Sequence, residues 1–190
     1  MRKIIASMHI SLDGFVAREN GGMDWIKFDD TMFDFVGTIT EQADAALYGR
    51  VTYEMMDSYW PTAGDQPNAS KHDIEHSEWY NRVEKIVISV SMRDKKTPRT
   101  TIISEQIPGE IQKLKGKEGK DILIFGSPHV IHTLVPHNLI DEFWLFVNPV
   151  LLGKGIPLFA GIREDILLTP HASRDFACGV TALHYTLAPK

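Results

Sequence analysis

The residues best suited to chemistry stand where short apolar runs end. At 48–50 the chain reads Tyr-Gly-Arg, with Thr52 two residues on. Gly49 permits a tight turn out of a strand, and Arg50 and Thr52 then fall at a helix N-terminus. The N–H groups and dipole of a helix start favour an anion, and a guanidinium adds charge and a fork of donors. "FGSPH" at 125–129 repeats the arrangement. There Gly126 allows close backbone approach, and Ser127 offers a hydroxyl and an N–H. Two such junctions on one sheet suit the two ends of a pyrophosphate. A third piece is "VISVSMR", in which Ser89, Ser91 and Arg93 follow a buried run. Hydroxyls beside a guanidinium suit a ribose 2′-phosphate, and hence NADP over NAD. Each piece alone also fits an ordinary strand-to-helix junction or an exposed loop. Neither junction matches G-x-G-x-x-G or G-x-x-x-x-G-K-[ST], so Rossmann and P-loop readings fail.

Other groupings carry less. His72 and His76 in "HDIEH" are spaced i, i+4, but the H-E-x-x-H order of zinc proteases is absent and a solvated helix surface is the expectation. His129, His132 and His137 do not share one face, so no metal site is expected. No G-x-S-x-G elbow exists to seat a serine nucleophile. Trp25, Phe28, Phe33, Tyr53, Tyr59 and Trp60 are placed around a substrate side. Of these, Trp25 and Tyr53 are as suited to lining a pocket for a flat heterocycle as to filling core.

Strands alternating with helices must hold these groups. "KIIASM" reads as a buried strand, 44–49 as a second, "KIVISVS" (85–91) as a third and "TTIIS" (100–104) as a fourth. "DILIFG" (121–126) lacks alternation and predicts a strand buried on both faces. Helices are predicted over 29–43, in "RVTYEMMDSYW", in "KHDIEHSEWYNRV", in "GEIQKLKG" and over 127–136. In the last, Ser127 is the N-cap, Pro128 stands at N1, Pro136 is the stop, and Val130, Ile131, Leu134 and Val135 form the inner face. Residues 57–70 are rich in turn formers and predict a long loop. "DEFWLFVNPVLLG" is a further strand, and the C-terminal stretch reads as two strands joined near Cys178–Gly179. The fold class is α/β, with a mixed, mainly parallel sheet flanked by helices and an antiparallel C-terminal hairpin.

With 190 residues, 43% of them hydrophobic, the chain suits one domain over 1–190. A net charge of −5 and the lack of a basic stripe argue against nucleic acid. The single cysteine excludes an intrachain disulfide. No apolar run approaches the ~18 residues of a membrane span, and the N-terminus lacks a signal-like apolar segment. A soluble cytoplasmic protein is the expectation, with no membrane partner.

"SLDGFVA", "GGMDW", "LYGRVTYE", "KIVIS", "ILIFGSPHVIHTLV" and "LIDEFWLFVNPVLLGKGIPLF" together resemble the dihydrofolate reductase superfamily. The closer resemblance is to the branch of the C-terminal reductase domain of the bifunctional riboflavin-biosynthesis deaminase/reductase. It spans nearly the whole chain, and the last stretch is the most specific. The resemblance implies an NADPH-dependent reductase of a pteridine- or pyrimidine-like heterocycle, paired as a homodimer. A broad flavin- or quinone-type reductase, or a nucleotide-binding protein without turnover, is the alternative. Matching positions place Val16 and Ala17 beside the nicotinamide, Gly49, Arg50 and Thr52 at the phosphates, and Ser89 near the adenosine. They place Gly126 and Ser127 at the pyrophosphate, and imply a cis peptide between these two. The substrate side is assigned Asp13, Asp24, Trp25 and Tyr53. Counting five residues from Trp25, as the family's proton donor is spaced, reaches Asp30, and Asp29 or Asp30 as a helix cap stays open. Two departures stand out. The deaminase signature H-x-E…P-C-x-x-C is absent, and Asp24 replaces the proline that often precedes the tryptophan.

Overall fold

The computed structural model describes residues 1–188. Among them β1 (Ile4–Ser11), β2 (Phe15–Ala17), α1 (Asp30–Thr40), β3 (Ala43–Gly49), α2 (Arg50–Ala63) and α3 (Lys71–Arg82) come first. β4 (Glu84–Ile88), β5 (Thr100–Ile103), α4 (Ile107–Lys115), β6 (Asp121–Phe125) and α5 (Pro128–Leu134) follow. A 3-10 turn (Val135–His137), β7 (Glu142–Asn148), β8 (Ile156–Pro157), β9 (Leu168–Asp175) and β10 (Thr181–Leu187) complete the order. Eight strands form one sheet in the order β5-β4-β3-β6-β1-β7-β10-β9, and β2 pairs with β8 separately. The sheet is mixed and mainly parallel, with β9 and β10 as its antiparallel hairpin. No helix among the described residues is long and apolar enough to cross a membrane.

The chain divides into two compact units, Met1–Arg2 with Asp30–Leu123, and Lys3–Asp29 with Ile124–Lys190. In the first, β3, β4 and β5 run parallel, with Gly49 opposite Ile88 and Ile88 opposite Ile103. In β3 and β4 consecutive residues are buried on both faces, Leu47 with Tyr48 and Ile86 with Val87, as a parallel strand covered on two sides requires. Helix α1 forms because Met32, Val36 and Ile39 recur at helical spacing and bury one stripe. Helix α3 starts at a capping box in which Ser70 and Asp73 satisfy each other's backbone N–H groups. Arg2 is tied to this unit through Asp44 and the Lys120 carbonyl.

In the second unit β1 runs parallel to β7, placing Ser11 opposite Asn148, and β10 returns antiparallel along β7. Val130, Ile131 and Leu134 of α5 are buried, as are Met8 of β1 and Phe146 of β7.

Four local expectations are corrected. Helix α2 continues through Pro61 to Ala63, so the loop begins at Gly64 rather than at 57. Pro61 gives the helix no N–H donor, and its carbonyl accepts from the Asn81 amide at 3.0 Å. Strand β4 ends at Ile88, leaving Ser89 and Ser91 beyond it. Ser127 holds the N-cap position of α5, but its side chain makes no capping bond, and Pro136 lies inside a 3-10 turn instead of ending the helix sharply. The Gly126–Ser127 bond is trans, and Gly126 turns with φ of 60°, a value that glycine adopts without a Cβ penalty.

Candidate functional site

The carboxyl edge of β3, β4 and β5 gathers the first unit's polar groups. The parallel register pairs Gly49 with Ile88 and Ile88 with Ile103, so Arg50, Ser89 and Ser104 each follow the last paired residue of their strand. Arg50 opens α2 behind Gly49, and no side chain caps that helix start. The Arg50 guanidinium meets Glu54, one turn on, at 2.7 Å. Thr52 and Tyr53 are buried in the same turn. Ser89 and Ser91 share a hydrogen bond of 3.2 Å between their hydroxyls. A turn from Val90 to Arg93 follows. Arg93 donates through Nε to Ser104 Oγ at 3.2 Å and pairs through Nη2 with Glu105. The edge therefore gathers hydroxyls and guanidinium forks beside the helix start at Gly49, a donor set that suits phosphate. Asp30, in the first turn of α1, is exposed.

The two histidines of "HDIEH" depart from the expected solvated surface. His72 stacks on Phe33 with ring centres 3.9 Å apart, and His76 lies 4.0 Å from the Trp60 ring. They face the α1–α3 seam because their helix buries that side, beside a cavity of about 350 Å³ lined by Phe33, His72, His76 and Trp79. Burial lowers both, His76 to about 3. Phe33 and Trp60 thus belong to this seam, while Tyr59 donates its hydroxyl to Asp73 at 3.0 Å. No group of three or more histidine, cysteine or acidic side chains among the described residues could hold a metal.

The second unit carries the "SLDGFVA" turn. Ser11 Oγ donates to Asp13 at 2.6 Å and accepts the Phe15 N–H at 2.9 Å, and Gly14 closes the turn with φ of 86°. Asp13 then accepts the N–H groups of Leu152 at 3.1 Å and Gly153 at 2.7 Å. The Ser11 hydroxyl, followed by these two N–H groups, holds the Asp13 carboxyl below the usual carboxylate range. Val16 and Ala17 are buried in the β2–β8 ribbon. Gly155 is required there, since a Cβ would stand 2.3 Å from the Ala17 carbonyl. Asp24 is an exposed partner of Arg18 at 2.9 Å, and Trp25 is buried with its indole N–H making no hydrogen bond. Gly126 and Ser127 stand at the β6–α5 junction, Ser127 only 1% exposed.

Sequence reasoning missed Asn148. It is wholly buried, and its amide oxygen accepts the Lys27 N–H at 2.8 Å. Its Nδ2 reaches the Phe146 carbonyl at 3.1 Å and His9 Nδ1 at 3.3 Å. It thereby ties the loop carrying Trp25 to the ends of β1 and β7. His9 accepts through Nδ1 and so is neutral, in keeping with the burial that lowers it to about 4. The signal was inside "LFVNPVLLGKG", the most specific stretch of the resemblance.

The family model for the RibD C-terminal domain matches residues 2–182. The chain belongs to the RibD C-terminal domain family. YyaP, an uncharacterized protein of Bacillus subtilis (strain 168), is 34% identical over 188 residues, 97% of this chain and 94% of its own. A candidate riboflavin biosynthesis protein from Shewanella sp. PV-4 superposes with a TM-score of 0.74 at 22% identity, over 98% of this chain and 99% of that one. The dihydrofolate reductase of Enterococcus faecalis, solved with NADP(H), gives a TM-score of 0.60 at 17% identity, covering 98% and 97%. At those identities the likeness is one of fold. The RibD C-terminal domain fold is that of riboflavin-pathway and dihydrofolate reductases, which makes an oxidoreductase acting on a small molecule the coarse reading.

Proposed function

We propose that this RibD C-terminal domain protein is an NADPH-dependent reductase of a flat pteridine- or pyrimidine-like heterocycle. The observation that carries the reading is the carboxyl edge of β3–β5. Ligands of open α/β sheets bind outside the carboxyl ends of the strands, and here that edge presents Arg50 at the start of α2, with Ser89, Ser91 and Arg93 beyond the end of β4. Those residues fit a phosphorylated dinucleotide. NADPH, when bound, supplies a hydride. Gly49, Arg50 and Thr52 hold phosphate oxygens, and Ser89, Ser91 and Arg93 hold the ribose 2′-phosphate. In the second unit Gly126 and Ser127 offer backbone N–H to the pyrophosphate, and the Val16–Ala17 backbone orients the nicotinamide carboxamide.

Reducing a C=N bond also needs a proton at nitrogen, and a carboxyl group within hydrogen-bond reach is the usual source. Asp30 is assigned that proton. Trp25, Tyr53 and Asp24 are each assigned to the substrate, the two aromatics for their apolar faces. Asp13 acts on that side by holding the 150–155 loop. The protein is proposed to be cytoplasmic and to pair as a homodimer through β7 and the C-terminal hairpin.

The test is NADPH consumption by the purified protein against a panel of pteridines, aminopyrimidines, flavins and quinones. The reading expects turnover on a pteridine or pyrimidine. Turnover confined to flavins or quinones would replace it with a broad reductase. Tight NADPH binding with no turnover on any member would leave a nucleotide-binding protein.

A further inference from the structure

Both guanidinium groups at the β3–β5 edge already have carboxylate partners: Arg50 has Glu54, and Arg93 has Glu105. The two pairs sit differently. Arg50 and Glu54 belong to one helix, at the start that faces phosphates common to every dinucleotide. Glu105 stands one residue beyond Ser104, at the end of β5. The Ser89 N–H donates to the Ile103 carbonyl at 3.0 Å, so the hydroxyl pair Ser89–Ser91 and the Arg93–Glu105 pair adjoin one another. Arg93 spends its Nε on Ser104 and its Nη2 on Glu105.

We propose that Glu105 is a specificity-determining residue that weakens the protein's preference for a 2′-phosphorylated nucleotide. The inference rests on the cofactor reading above. A phosphate of charge near −2 out-competes a single carboxylate for the Arg93 fork. The displaced carboxylate remains tethered to the strand end beside the incoming phosphate and repels it. An unphosphorylated ribose meets no such repulsion, so Glu105 acts on one cofactor and spares the other. Both partners are more than half exposed, so the effect is moderate and screened by salt.

The experiment is calorimetric titration of wild type, Glu105→Gln and Glu54→Gln with NADPH, NADH, adenosine 2′,5′-bisphosphate and AMP, at low salt and at molar salt. Glu105→Gln is expected to tighten NADPH and the bisphosphate about fivefold at low salt while NADH and AMP move less than about twofold, and molar salt should erase the gain. Glu54→Gln, acting on the shared phosphates, should tighten NADPH and NADH together. Equal shifts for NADPH and NADH in Glu105→Gln, or no shift in either, would overturn the role of Glu105 and leave the cofactor reading standing. If NADPH does not bind but the bisphosphate does and responds to Glu105→Gln, the cofactor reading falls and Glu105 keeps its role. Failure of both NADPH and the bisphosphate to bind any variant overturns both.

Discussion

Asp30 and Asp13 show how differently two carboxylates can be read. Asp30 is assigned the proton, and its rival role is to cap or stabilise the first turn of α1. The roles separate on mutation. Asn caps a helix about as well as Asp, so a cap-only Asp30 would lose little on Asp30→Asn. As the acid, Asp30→Asn should keep NADPH affinity and melting temperature but lower turnover by ~100-fold or more. Unchanged turnover in the folded variant would remove Asp30 from the mechanism. Asp13 is a clamp holding Leu152 and Gly153. Asp13→Ala should release those two amides to fast hydrogen exchange while the amides of β1 stay protected. Its carboxyl is held below the ordinary range, so the clamp is intact above the usual carboxylate pKa of about 4 and lost as pH falls through the lowered value. Exchange at Leu152 that does not respond to acid would contradict this. The clamp could not be read from the sequence, since its partners lie 139 and 140 residues away. The Gly-Arg junction at 49–50 was legible because it depends only on neighbours in the chain.

At the scale of elements, strong local patterns were readable and tertiary choices were not. Helix α5 and strand β6 follow from a proline start, an apolar stripe and an unbroken apolar run. Helix α2 was cut short in the sequence because Pro61 signals a break, whereas the structure fits it into the last turn. The inner face of α3 was missed because histidine is ambiguous between core and surface, and only packing against Phe33 and Trp60 decides it. That burial makes α3 acid-sensitive. A folded-state pKa below the ordinary 6.5 means His76 adds stability above pH 6.5 that is lost as pH falls toward about 3. Each pH unit in that window removes up to about 1.4 kcal/mol. Denaturant midpoints should therefore drop between pH 6 and 4, and His76→Phe should flatten the slope by about one proton. An unchanged slope would show that His76 does not titrate there. Ser70→Ala, which breaks the capping box, should cost about 1 kcal/mol at neutral pH, read in the same denaturation series.

For the whole molecule, the mixed, mainly parallel sheet was legible because short apolar strands alternate with helices and end in a hairpin. The division into two compact units was not, since each unit is assembled from separated stretches of chain. The homodimer proposal is checked by light scattering at micromolar concentration, with a mass near twice 21.5 kDa expected. A single species at 21.5 kDa would exclude it under those conditions. The central claim is that the β3–β5 edge recognises the 2′-phosphate of NADPH. Its most direct test is the pair of dissociation constants of the wild-type protein for NADPH and NADH at low salt. Charge-assisted bonds to the extra phosphate, worth on the order of 2 kcal/mol, predict NADPH binding about 30-fold tighter. Equal constants for the two cofactors, or no binding of either, would contradict it.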